Sequence, residues 1–142
     1  MKKSLIPFLM LFSFCLTSHL FAIEAKAPEK NVIDSILKAT VQIEVYDKSG
    51  AKKGSGSGFI VDSKGIIVTN NHVMNNAFSV LITLSTGEKF KDVTVRDFDE
   101  VKDIALIKIS GFDLPIVKLG NSNEIQTGVK IFACGNSLGD YQ

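Results

Sequence analysis

Three side chains in the second half of this sequence have the types that proton transfer and nucleophilic attack require: His72 in IIVTNNHVM, Asp103 at the head of DIALIKI, and Ser137 in CGNSLG. An imidazole can take a proton from a hydroxyl and return it to a leaving group, because it titrates near neutrality. A carboxylate that accepts the Nδ1 proton fixes the tautomer and stabilises the imidazolium formed in between. Taken singly, each residue has a plainer reading. A lone histidine is commonly structural, an acid at the mouth of an apolar strand is commonly a solvated loop charge, and a serine in a turn commonly bonds nearby backbone. For His72 and Asp103 both readings stay open until a fold places them.

The elements around them read as all-β. Residues 23–30 (IEAKAPEK) form a polar tail, and Asn31 is positioned to cap a short helix over 32–39 with Ile33, Ile36 and Leu37 on one face. The period then changes from helical to alternating: Val41, Ile43 and Val45 point one way, Gln42, Glu44 and Tyr46 the other. Further strands are expected at 56–61, 66–69, 78–84, 90–96 and 104–109, separated by turns such as DSKG and STGE. Six short strands at this spacing favour a small antiparallel barrel or sandwich. His72 follows the strand at 66–69 and Asp103 precedes the one at 104–109. Both therefore lie at strand ends of one barrel, where pairing is geometrically reasonable. A seventh strand, 128–134, follows the GNSNE turn and reads as the first strand of a unit the chain does not finish.

The first 22 residues, MKKSLIPFLMLFSFCLTSHLFA, have the basic start, short apolar run and small terminal residue of a secretory signal peptide, with cleavage after Ala22 or, second, Ala25. Bulky Phe14 before Cys15 argues against a lipid anchor. Removal of this segment takes two lysines and no acids, leaving 14 basic against 15 acidic side chains. That balance gives no electrostatic case for nucleic acid or for an anionic membrane. Only Cys134 then remains, so no intrachain disulfide is expected, and its apolar setting reads as a small buried hydrophobe. About 120 residues bury one core, hardly two.

The blocks GSGFIVDSKGIIVTNNHV (56–73), DIALIKI (103–109) and KIFACGNSLG (130–139) together resemble the N-terminal half of a trypsin-like serine peptidase of the HtrA/Deg type. The resemblance spans about residues 36–140. It implies a trypsin-like antiparallel β-barrel, the first of two, with the second only begun and the active site in the cleft between them. It also implies His72 as catalytic base and Asp103 as its orienting acid. Ser137 stands where the family's Gly-Asn-Pro-x-Gly turn usually has proline, and the Gly-Asn-Ser-Gly-Gly-Pro block that carries the nucleophile is absent. The nucleophile is therefore expected beyond Gln142, and Ser137 reads as a turn residue. Four regions follow: a signal peptide over 1–22, a tail over 23–31, a first barrel over 32–120, and the start of a second over 121–142.

Other clusters carry less. Gly54, Gly56 and Gly58 lead into a strand rather than a helix, which excludes a phosphate cradle at a helix start. Asp97, Asp99, Glu100 and Asp103 lack the glycine and final glutamate of a calcium loop, so neither a metal nor another cofactor is expected. Lysines 52, 53, 89 and 91 suit solvated edge strands. The resemblance implies an exported endopeptidase, periplasmic or secreted, acting on polypeptides, unfolded ones first, and often homo-oligomeric. The alternative is a non-catalytic binding or chaperone-like barrel derived from such an enzyme.

Overall fold

A computed structural model describes residues 30–135. The expected signal peptide, most of the expected tail and Ser137 lie outside the described residues. An α-helix, α1 (Lys30–Ala39), leads directly into the first strand. It begins earlier than Asn31, which lies inside it. Ile33 and Ile36 are half-buried, whereas Leu37 remains exposed. The Thr40 hydroxyl donates to the Ile36 carbonyl at 2.9 Å and closes the last turn.

Seven strands follow among the described residues: β1 (Thr40–Tyr46), β2 (Lys52–Asp62), β3 (Ile66–Thr69), β4 (Ser79–Leu84), β5 (Lys89–Phe90), β6 (Val93–Asp99) and β7 (Ile104–Ile109). All pairings are antiparallel, in the order β5-β4-β1-β2-β3-β7-β6. Only Lys91 and Asp92 separate β5 from β6, the two ends of this order. Three Cα steps reach at most about 11 Å, so the chain itself holds the sheet's two ends together and curls it. The result is an antiparallel sheet curled toward a barrel, the all-β architecture expected. The single strand expected at 90–96 is in fact two, with a further register shift between Val95 and Asp97. A charged corner at Lys91–Asp92 turns the chain where sequence alternation alone suggested continuity.

The core lies on one face of the sheet. It consists of Val41, Ile43, Val45, Ile60, Ile67, Ile82, Leu84, Ile107 and Ile109. Nearly all are β-branched, and they recur at every second position of their strands, as a pleated surface requires. Gly58 sits on this face. A Cβ there would lie 2.8 Å from Ile67 Cγ2 and 2.9 Å from the Val68 carbonyl oxygen, so only glycine lets the strands and core side chains approach this closely.

The expected strand at 128–134 does not form. Gly128 adopts φ +91° in a turn closed by the Val129 N–H to the Gln126 carbonyl, and residues 129–135 join no ladder. A strand is stable only with a neighbour to share its hydrogen bonds, and this segment pairs with none of the described strands. Cys134, expected to be buried, is exposed for the same reason.

Candidate active site

β3 and β7 are antiparallel neighbours with Thr69 opposite Ala105. Continued by two residues, that register sets Asn71 beside Asp103, which brings the end of one strand to the start of the other. The Asn71 N–H donates to the Asp103 carbonyl at 3.2 Å. Immediately after β3 the chain turns into a single helical turn, α2 (Asn71–Met74). Val73 and Met74 pack against the core and anchor this turn. Gly56 is what admits Val73: a Cβ at that position would lie 2.7 Å from Val73 Cγ2. With Val73 turned inward, the intervening His72 side chain faces solvent, 68% exposed.

The structure brings the two sequence-selected residues together. His72 Nδ1 lies 2.6 Å from Asp103 Oδ2, and the His72 backbone N–H donates to Asp103 Oδ1 at 2.8 Å. Asn70 Nδ2 donates to Asp103 Oδ2 and to the Asp103 carbonyl, both at 3.1 Å. These donors hold the Asp103 carboxyl below the usual carboxylate range. The His72 N–H contributes most and its ring next, while partial burial opposes them. An ionised carboxylate only accepts, so Nδ1 must donate. That assignment leaves Nε2 as the nitrogen available for proton transfer.

Asp103 itself has φ +54°, in the left-handed region that non-glycine residues seldom enter, aspartate and asparagine more readily than most. The neighbouring acids are occupied elsewhere. Asp99 pairs with Lys102 Nζ at 3.0 Å, and Asp97 Oδ1 accepts the Phe98 N–H at 2.9 Å. Among the described residues no group of three or more His, Cys, Asp or Glu side chains could hold a metal ion, and no helix is long and apolar enough to cross a membrane.

Beside the pair runs a groove of about 810 Å³. Ile33 and Ile36 of α1, Phe59 and Val68 of the outer sheet face, and Ile131 and Phe132 of the C-terminal segment line it. Asn70 and Ile104, which flank the His72–Asp103 pair in sequence, also line it.

Residues 56–142 match the trypsin-like peptidase domain. The chain belongs to the trypsin-like peptidase family. Its relatives and its structural neighbours are HtrA-type proteases. It is 40% identical over 111 residues to the zebrafish (Danio rerio) serine protease HTRA1B, which covers 75% of this chain and 23% of that protein. It is also 40% identical over 93 residues to a protein of Pseudomonas savastanoi named "Probable periplasmic serine endoprotease DegP-like", covering 66% of this chain and 19% of the relative. A solved HtrA-type protease with a tripeptide superposes with a TM-score of 0.63 at 28% identity, over 69% of this chain and 31% of that one. This trypsin-like chain thus spans under a quarter of the length of these curated relatives.

Sequence reasoning selected His72 and Asp103 but passed over Asn70. The signal was present, since asparagine both tolerates turns and carries two N–H donors at the strand end beside the histidine. Its target, though, lies 33 residues away, and only the β3–β7 register discloses that.

Proposed function

We propose that this chain supplies the general base and the orienting acid of an exported HtrA-type serine endopeptidase. The observation that carries the reading is the 2.6 Å contact between His72 Nδ1 and Asp103 Oδ2 at the end of a trypsin-like barrel. In this reading His72 Nε2 takes the proton of a serine hydroxyl as that oxygen attacks a peptide carbonyl. The same nitrogen returns the proton to the leaving amine, and water then hydrolyses the acyl-enzyme. Asp103 keeps Nδ1 protonated and balances the imidazolium. The hydroxyl and the oxyanion donors come from outside residues 30–135. The substrates are polypeptides, unfolded ones first, and the compartment is the periplasm or the exterior, in keeping with the apolar, basic-tipped first 22 residues. Assembly into homo-oligomers belongs to the same proposal.

The test uses the product of the complete reading frame and an unfolded polypeptide as substrate. His72→Ala and Asp103→Asn should each reduce turnover on the order of 10⁴-fold while leaving the protein folded. Near wild-type turnover in Asp103→Asn would sink the pairing as a catalytic unit. A fluorophosphonate probe applied to residues 23–142 should leave Ser137 unlabelled. A Ser137 adduct that vanishes in His72→Ala would make that serine the nucleophile.

The apolar groove favours a second reading, a barrel that binds extended apolar polypeptide without cleaving it. The two part on the reading frame after Gln142. A Gly-Asn-Ser-Gly-Gly block supports the peptidase, and a verified stop supports the binding module.

A further inference from the structure

The His72 ring is mostly exposed, so packing alone does not hold it in place. Something must present a carboxylate already aimed at Nδ1. Asp103 is itself in the left-handed region, one residue ahead of β7. Two donors act on its carboxylate without involving the ring: the His72 backbone N–H on Oδ1 at 2.8 Å, and the Asn70 carboxamide on Oδ2 at 3.1 Å. The backbone donor fixes one oxygen and leaves the other free to swing about it. The second N–H of the same carboxamide reaches the Asp103 carbonyl, also at 3.1 Å, where the Asn71 N–H converges at 3.2 Å. One amide therefore grips the main chain and the side chain of one residue at once.

We infer that Asn70 is a positioning residue, whose carboxamide locks the left-handed backbone and the carboxylate plane of Asp103 so that Oδ2 waits for His72 Nδ1. The inference rests on the reading of His72 and Asp103 as a working pair. Its chemistry is specific to asparagine. A carboxamide offers two N–H groups on one nitrogen, whereas a carboxylate of the same shape offers none and a methyl group offers nothing. Oδ2 has capacity for both Asn70 and the imidazole, so the two donors cooperate rather than compete. Preset acceptors of this kind are what an exposed ring needs to keep one tautomer through repeated proton transfer.

The test is the tautomer of His72, read from ¹⁵N shifts in the 142-residue chain carrying ¹⁵N-histidine, with His19→Gln so that one imidazole reports. In alkaline buffer, where an imidazole is neutral, the parent chain should be protonated almost wholly at Nδ1. Asn70→Ala and the isosteric Asn70→Asp should both fall toward the mixture of a free imidazole, with the β-sheet circular dichroism unchanged. Persistence of the Nδ1–H form in both variants overturns the inference and leaves the pair standing. A free-imidazole mixture in the parent chain overturns the pair itself, and the inference with it. Should either variant unfold, hydrogen exchange of the Asn70 carboxamide in the parent chain decides. Exchange much slower than that of exposed Asn76 supports the clamp, and equal exchange removes it.

Discussion

Residues 40–109 and residues 112–135 are both rich in apolar side chains, yet they meet opposite fates. In the first region Ile43, Ile67, Ile82 and Ile107 are wholly buried. In the second, Phe112 is 91% exposed and Ile131 77%. Hydropathy does not separate them; neighbours do. Every strand of the first region has a partner on at least one side, and six ladders tie the seven strands together. The second region is held to the sheet by Leu114, whose N–H meets the Ser63 carbonyl at 3.0 Å, and by Val117, whose N–H meets that of Ile60 at 2.9 Å. Beyond Val117 it runs exposed. The His72–Asp103 pair is built entirely on the first region, which explains why its geometry is complete although the second region is not packed.

The sharpest way to break this contrast is to truncate one isoleucine in each region. Ile43→Ala should cost about 2–5 kcal/mol, since it empties a fully enclosed site between β1, β2 and β4. Ile131→Ala should change stability by less than about 0.5 kcal/mol. Urea unfolding followed by circular dichroism reads both. Comparable losses at the two positions would show that the second region is packed in solution and that the contrast is false.

Much of the first region was legible because alternation of β-branched residues and burial on one face are the same physical fact. The strands at 66–69 and 104–109 lie where apolar runs between turn signals put them, and their ends locate His72 and Asp103. The strand expected at 128–134 rested on a short apolar run, Val129 to Cys134, which pairs with no neighbour among the described residues. Periodicity states that a strand can be half-buried; it does not supply the other half. The Lys91–Asp92 corner was missed because a two-residue break in a charged stretch leaves the alternation nearly intact. Gly56 and Gly58 lie inside β2 rather than ahead of a strand. Their actual use, close approach of Val73 and of Ile67, depends on contacts across the fold.

Gly56→Ala probes the link between that packing and the site. The added methyl meets Val73 Cγ2 at 2.7 Å and Cγ1 at 2.9 Å, so the single turn carrying His72 must shift. Overpacking of this kind costs about 1–3 kcal/mol. It should also lower the Nδ1-protonated fraction of His72, whereas a glycine in the exposed region, Gly120→Ala, with open space at its Cβ, should do neither. An unperturbed His72 tautomer in Gly56→Ala would separate the site from the core beneath it.

Acid titration sharpens the comparison further. The folded-state pKa of Asp103 lies below its ordinary value, held down chiefly by the His72 N–H and ring. Its stabilising contribution is therefore complete above the unfolded value of about 3.9 and disappears as pH falls through the lower folded value. The gap in urea midpoint between the parent chain and Asp103→Asn should be constant near neutrality and close below about pH 4. A gap that persists at the lowest pH where the sheet survives would mean that the carboxylate's charge contributes nothing to holding the strand ends together.

The smallest expected effect concerns the exposed region as a whole. Residues 23–142 should bind a hydrophobic dye more than residues 23–120, because the added segment brings Ile125, Val129, Ile131 and Phe132, all exposed. The same segment carries main-chain groups outside any ladder, so it should also promote association at high concentration. Removing it should leave the His72–Asp103 contact unchanged, since none of the donors to Asp103 comes from beyond residue 120. Two measurements on the same pair of chains therefore point in different directions: dye fluorescence should fall on truncation while the His72 tautomer stays constant. Equal dye response in the two chains would show that the segment covers as much apolar surface as it adds, across the groove it shares with α1. A tautomer lost on truncation would make that cover part of the site.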